Sequence, residues 1–216
     1  MEPLRDVRLK LPVIVMDGAA LFHLAEKRYE RVYVISPEYS HRIGESLQSM
    51  GISFFVNIIV DDSLMIYYSA SENPFYNTLI EQLRSSPYRN YVCRPYPIDE
   101  SVVYFMVIDK TEKIDNLYYA ISELSFFHSL KVVKEKADIP GAWMLKIYNH
   151  NATKENMIEY LKNETGISRV VTFGTIPGKY THCIQPGDFN QVIKIMRQDY
   201  EPVRFFKKKD GSGKEV

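Results

Sequence analysis

Cysteine is scarce: only Cys93 and Cys183 occur in 216 residues. Two thiols cannot build a disulfide framework or supply a zinc-ligand cluster, and they fit a reducing, cytoplasmic setting. Long apolar runs are missing too. The longest, such as Ile52 to Val60, are broken by polar residues and fall far short of the ~20 residues a bilayer span needs, so no membrane association is expected. No basic stretch followed by an apolar one opens the chain, so a secretory signal is not expected. Nor is there an excess of either charge. Lys plus Arg number 27 and Asp plus Glu number 27, a balance that argues against a general nucleic-acid binder. No glycine-rich phosphate loop is present, since Gly174 and Gly178 lack a Walker or Rossmann context. The histidines (His23, His41, His128, His150 and His182) are scattered, none at a metal-ligand spacing, so no metal site is expected. Cys183 stands beside His182, but neighbours in a strand point to opposite faces and cannot form a catalytic dyad.

What is present is a globular composition, with 45% hydrophobic and 25% charged residues. At roughly 150 residues per domain the length suggests one or two domains with a real core. Apolar periodicity alternates between strand and helix. Leu11 to Met16 reads as a short buried strand ended by Asp17-Gly18, followed by strands at Ala19 to His23 and Arg31 to Ile35. Ser36-Pro37-Glu38 starts a helix that runs to Met50 and stops at Gly51. Ser53 to Val60 and Leu64 to Ser69 form a hairpin through Asp61-Asp62-Ser63, and Asn73-Pro74 opens a second helix to about Arg84. Ser86 to Pro97 is a Pro- and Tyr-rich loop; its Arg and Tyr residues suit a ligand or nucleic-acid contact, or simply a stiff loop packed on the fold. A strand over Ser101 to Asp109, a helix over Lys113 to Phe127 and a strand over Leu130 to Lys136 complete a central block.

Beyond Asp138-Ile-Pro-Gly141 the rhythm changes. Trp143 to Tyr148 reads as a strand, Thr153 to Glu164 as a helix closed by Gly166, and Arg169 to Phe173 as a strand. Thr181 to Ile184 is a further short strand, and Asp188 caps a last helix to about Asp199. That order is the pattern of a parallel sheet with crossover helices. The expected fold is therefore α/β: a discontinuous core, 1–27 with 137–204, carrying an α+β insert over 28–136. The tail 205–216, with Lys207 to Lys209 and Gly211-Ser-Gly213, reads as mobile.

Leu11-Pro-Val-Ile-Val-Met-Asp-Gly-Ala-Ala-Leu21, then a large insert, then Asn151-Ala-Thr-Lys154 opening a helix, then Val170-Val-Thr-Phe-Gly174 resembles a haloacid dehalogenase-like (HAD) hydrolase. More narrowly it is similar to the Cof-type sugar-phosphate phosphatases, in which a strand ending in Asn-Gly-Ala precedes the cap; Asp17-Gly18-Ala19 stands in that place. The resemblance implies a partial HAD-like, Rossmannoid parallel-sheet core with an inserted α+β cap. It also implies a nucleophilic Asp in Asp-x-Asp-Gly-Thr, a phosphate-binding Lys and a Gly-Asp magnesium motif.

The chain departs from that chemistry. If Val15-Met16-Asp17-Gly18-Ala19 is aligned with the nucleophile motif, Val15 takes the nucleophile position and Ala19 the Thr position. If it is the pre-cap strand, the nucleophile motif lies upstream of these residues. Asp17-Gly18 also reads simply as a turn after a buried strand. Lys154 occupies the place of the phosphate-binding Lys, beside Asn151, and reads equally as a solvated helix residue. In Gly174-Thr175-Ile176-Pro177-Gly178-Lys179, Thr175 replaces the metal carboxylate, while Gly187-Asp188 is better explained as a turn and helix cap. The expected site is thus a vestigial phosphate-binding position at Lys154, with Asp17, Gly18, Asn151, Gly174 and Thr175 as ligand-binding candidates and no metal. The expected function is a degenerate, weak or inactive phosphatase homologue that needs no cofactor. Its expected partners are a phosphorylated small molecule, a protein or a second copy of itself bound at strand edges. The alternative is the larger part of a magnesium-dependent sugar-phosphate or nucleotide phosphatase that continues upstream.

Overall fold

The structure is a computed structural model, and it describes residues 11–84, 89–97, 99–167, 169–175, 177–178, 180–185 and 187–200. Lys179 and the tail over 205–216 lie outside them. The chain divides into two units, one up to Glu164 and one from Thr165 onward.

The first unit opens with three antiparallel strands, β1 (Val13–Val15), β2 (Ala20–His23) and β3 (Arg28–Val32). A six-stranded sheet follows, built from β4 (Phe54–Val60), β5 (Ser63–Tyr68), β6 (Asn90–Cys93), β7 (Val102–Lys110), β8 (Leu130–Lys136) and β9 (Ala142–Asn149), in the order β6-β5-β4-β7-β9-β8. Its helices are α1 (Pro37–Ser49), α2 (Pro74–Leu83), α3 (Thr111–Ser122) and α4 (Lys154–Thr165). All pairings in this sheet are antiparallel except β5 with β6.

Local chemistry explains the boundaries. The Ser36 hydroxyl accepts from the Tyr39 amide to cap α1, with Pro37 in the first turn. Asn73 caps α2 by accepting from the Phe75 and Tyr76 amides. Asp61 and Asp62 both have positive φ, 45° and 57°, as a two-residue hairpin turn that follows the strand twist requires.

Strand alternation then sorts the sheet's side chains. Val56, Phe105, Val107, Leu145 and Ile147 face α1 and α3, which bury Ile43, Leu47, Ile114, Leu117 and Ile121 against them. On the other face, Phe55, Ile66, Met106 and Ile108 pack under Tyr76 and Ile80 of α2. Past α2, the same face meets the β1–β2 turn, where Ala19, Val103, Tyr148 and Ala152 form a small buried cluster.

Two expectations need correction. The order of elements predicts Trp143 to Tyr148 in a parallel core sheet, but β9 pairs antiparallel with both β7 and β8. Both of its faces are apolar enough to be covered, and that suits an inner strand of either kind of sheet. Within the expected loop of 86–97, Asn90–Cys93 is an edge strand parallel to β5. The second unit holds β10 (Phe173–Gly174) and β11 (His182–Cys183), paired in parallel, and α5 (Phe189–Ile195), capped by Asp188 through the Gln191 amide. No helix among the described residues is long and apolar enough to cross a membrane.

Candidate functional site

The turn joining β1 to β2 carries three successive positive φ values: Met16 at 53°, Asp17 at 54° and Gly18 at 98°. Non-glycine residues in that region cost of order 1 kcal/mol or more each, so packing must hold the turn in place. Gly18 shows how tightly. A Cβ there would lie 2.3 Å from the Thr153 carbonyl carbon and 2.5 Å from the Lys154 amide nitrogen. Asp17-Gly18 therefore presses, backbone to backbone, on the start of α4, where the Thr153 hydroxyl accepts from the Asn156 amide as the helix cap.

Beneath the turn lies the sheet face that carries Tyr148 and Lys146 of β9 and Lys131 of β8. The Tyr148 hydroxyl donates to Asp17 Oδ2 at 2.8 Å, and Lys146 Nζ donates to the same oxygen at 3.2 Å. Lys146 also pairs with Glu135 at 2.5 Å, and its side chain is 17% exposed. Lys131 Nζ donates to the Asp17 carbonyl at 2.7 Å and to the Ala152 carbonyl, tying the turn and the α4 entry to the edge of the sheet. The Tyr148 ring stacks on Tyr104 with centroids 4.8 Å apart, and the Lys131 ammonium sits 4.9 Å from its centroid.

These contacts set the charge states. Burial would raise the Asp17 carboxyl, but the Tyr148 hydroxyl and the Lys146 ammonium outweigh it and hold Asp17 below the usual carboxylate value. For Lys146, burial acts to lower the ammonium, yet Glu135 and Asp17 leave it raised. Lys131 is lowered by burial, only partly opposed by Asp17 and Glu155, with Lys154 and Lys146 pushing the same way as burial. Tyr148 is pushed far above its ordinary range by burial, by Tyr104 and by Asp17, so it remains a donor.

The structure thus brings Asp17, Gly18 and Lys154 together and adds Lys131, Lys146, Tyr148 and Glu135, which sequence reasoning did not single out. Lys154 is exposed on the first turn of α4. Asn151 contributes its backbone: its carbonyl accepts from the Thr153 amide and the Asn156 side chain. Gly174 and Thr175 belong to the second unit, where the Tyr180 ring lies against Gly174 so closely that a Cβ would stand 2.2 Å away. A signal for Lys146 was present: one charge within Trp143-Met-Leu-Lys-Ile-Tyr148, on the same alternate face as Met144 and Tyr148.

Chemically, the cluster suits an anion. Lys131 and Lys146 are taken up by the turn itself, through two carbonyls and two carboxylates, which leaves an anion the exposed Lys154, within electrostatic reach of Lys131, and the positive end of α4. It does not suit a divalent cation, which wants several free anionic oxygens. Among the described residues no three His, Cys, Asp or Glu side chains stand together as a metal site.

The chain belongs to the haloacid dehalogenase-like hydrolases, whose family model matches residues 1–175. Solved structures with a similar fold include TM0651 from Thermotoga maritima, 22% identical with a TM-score of 0.57, covering 77% of this chain and 58% of that one. The HAD subclass IIB sugar phosphatase BT4131 is 13% identical with a TM-score of 0.56, covering 80% and 60%. A haloacid dehalogenase-like hydrolase from Bacteroides thetaiotaomicron is also 13% identical, with a TM-score of 0.55 and coverages of 73% and 57%. The chain therefore spans about three fifths of the length of these structures. No curated protein matches it.

Proposed function

We propose that the Asp17–Gly18 turn and the start of α4 bind the phosphoryl group of a small phosphorylated molecule, and that these 216 residues bind it without effective turnover. The observation that supports the reading is the packing of this turn, backbone to backbone, on the start of α4, where Lys154 stands exposed in the first turn. Lys154 is the exposed member and the first contact for the ligand; Lys131 and Lys146 hold the turn in its left-handed form. Asp17 acts as an anchor here, because its Oδ2 accepts from both Tyr148 and Lys146. A sugar phosphate fits the family and the sugar phosphatase of similar fold.

Calorimetric titration with glucose 6-phosphate and with inorganic phosphate tests this. Both bind, and Lys154→Ala weakens binding about fivefold, as loss of roughly 1 kcal/mol would. Absence of binding at millimolar ligand overturns the reading. Magnesium-dependent hydrolysis of p-nitrophenyl phosphate that is abolished in Lys154→Ala supports the second reading instead, in which these residues are the larger part of a magnesium-dependent phosphatase. Membership of a hydrolase family and the three-fifths coverage favour that alternative.

A further inference from the structure

A cavity of about 330 Å³ lies on the opposite face of the six-stranded sheet from the lysine cluster, between α1 and the β4–β5 end of the sheet. The sheet contributes Phe54, Val56 and Tyr67 to its wall, residues whose register turns them toward α1 and away from Tyr104 and Tyr148. His41, Gly44, Glu45 and Gln48 form the other wall, one face of α1 at helical spacing. Arg94, Pro95 and Tyr96 close the third side as the chain leaves β6.

Two features mark it as built. Gly44 has no side chain where Tyr96 crosses α1: a Cβ would lie 2.6 Å from the Tyr96 hydroxyl. The Tyr96 ring is also fixed edge-on against Phe105, with centroids 6.2 Å apart. The Arg94 guanidinium stands 5.7 Å from the Tyr67 ring centroid, and among the described residues no carboxylate pairs with it. Glu45, the acid on the α1 wall, lies 3.2 Å from His41, is 62% exposed and forms an ion pair only with a protonated imidazole. Aromatic walls with one uncompensated guanidinium at the rim match a flat ring that carries a single carboxylate. The ring stacks on aromatic side chains and the carboxylate takes the bidentate fork of Arg94. The volume falls at the lower end of the range for small-molecule sites, about 300–1,000 Å³.

We propose that this cavity is a second ligand site, separate from the phosphoryl site, that takes a planar aromatic carboxylate. The test is amide chemical-shift mapping by NMR on the full chain, with indole-3-acetate as probe and the uncharged indole-3-ethanol as its control. Indole-3-acetate is expected to shift amides in His41 to Gln48 and Arg94 to Tyr96, to bind at least fivefold more tightly than the alcohol, and to lose that advantage in Arg94→Gln. Equal binding of acid and alcohol to the unaltered chain would overturn the proposal without any variant having to fold. So would shifts confined to the surroundings of Asp17 and Lys154, or none at millimolar probe. Inorganic phosphate, run in parallel, reports on the phosphoryl site alone, so the two readings fail separately.

Discussion

Gly18 and Asp17 meet opposite demands at one turn. Gly18 is required twice, by its φ of 98° and by the α4 backbone pressed against it. Gly18→Ala is expected to lower stability by about 2–4 kcal/mol, the sum of a left-handed alanine and a backbone that must shift. The midpoint of urea unfolding measures it, and an unchanged midpoint would mean that the turn does not press on α4. Asp17 contributes through charge. Its folded carboxyl titrates below the unfolded one, so its contribution is complete above the ordinary carboxylate value and is lost as pH falls through the depressed one. Lys146, raised in the fold, mirrors this at the alkaline end: its contribution holds below the ordinary lysine value and disappears as pH rises through the raised one. Between pH 7 and pH 3 the unaltered chain should therefore lose more stability than Asp17→Asn. Parallel losses would show that Asp17 gains nothing from Lys146 and Tyr148.

Single elements were legible where local chemistry decides them. Ser36 and Asn73 announce helix starts because a short polar side chain satisfies free amides beside it, and both cap as expected. Asp61-Asp62 announces the hairpin because both residues tolerate left-handed backbone. Asn73 also does something its position did not reveal. Its amide nitrogen donates to the Ile108 carbonyl at 2.9 Å and to Asp109 Oδ2 at 3.0 Å, docking α2 onto β7. Asn73→Ala is expected to cost about 2–3 kcal/mol, one cap and two further hydrogen bonds. Asn73→Asp keeps the cap but sets a carboxylate against Asp109, so thermal unfolding should show little rescue; full rescue would mean the Asp109 contact carries no weight. By contrast, β6 was not legible. Four residues in a Pro- and Tyr-rich stretch become a strand only because β5 offers an open edge.

At the scale of the molecule, pairing partners were the illegible part. An apolar strand such as β9 reads the same whether its neighbours run parallel or antiparallel, and only the assembled sheet sets it between β7 and β8. The candidate site shares that limit. Lys154 is singled out only by its place in a pattern, whereas Lys131 and Lys146 come into contact with Asp17 only once the β1–β2 turn covers their end of the sheet. The same assembly predicts a gradient of local stability. Amide hydrogen exchange should be slowest in Val102–Lys110 and Ala142–Asn149, each flanked by strands on both sides, and fast in the two-residue β10 and β11. Exchange as fast in β7 as in β10 would contradict that order. The bonds that hold Asp17 also carry a consequence for timing. They link residues 114, 129 and 131 positions apart, so none can close until β8 and β9 have been made and have taken their places. Closing so long a loop is entropically expensive and repaid only at the end. On a ribosome adding about 5–20 residues per second, the Asp17 turn would leave the peptidyl centre seconds before the strands that fix it.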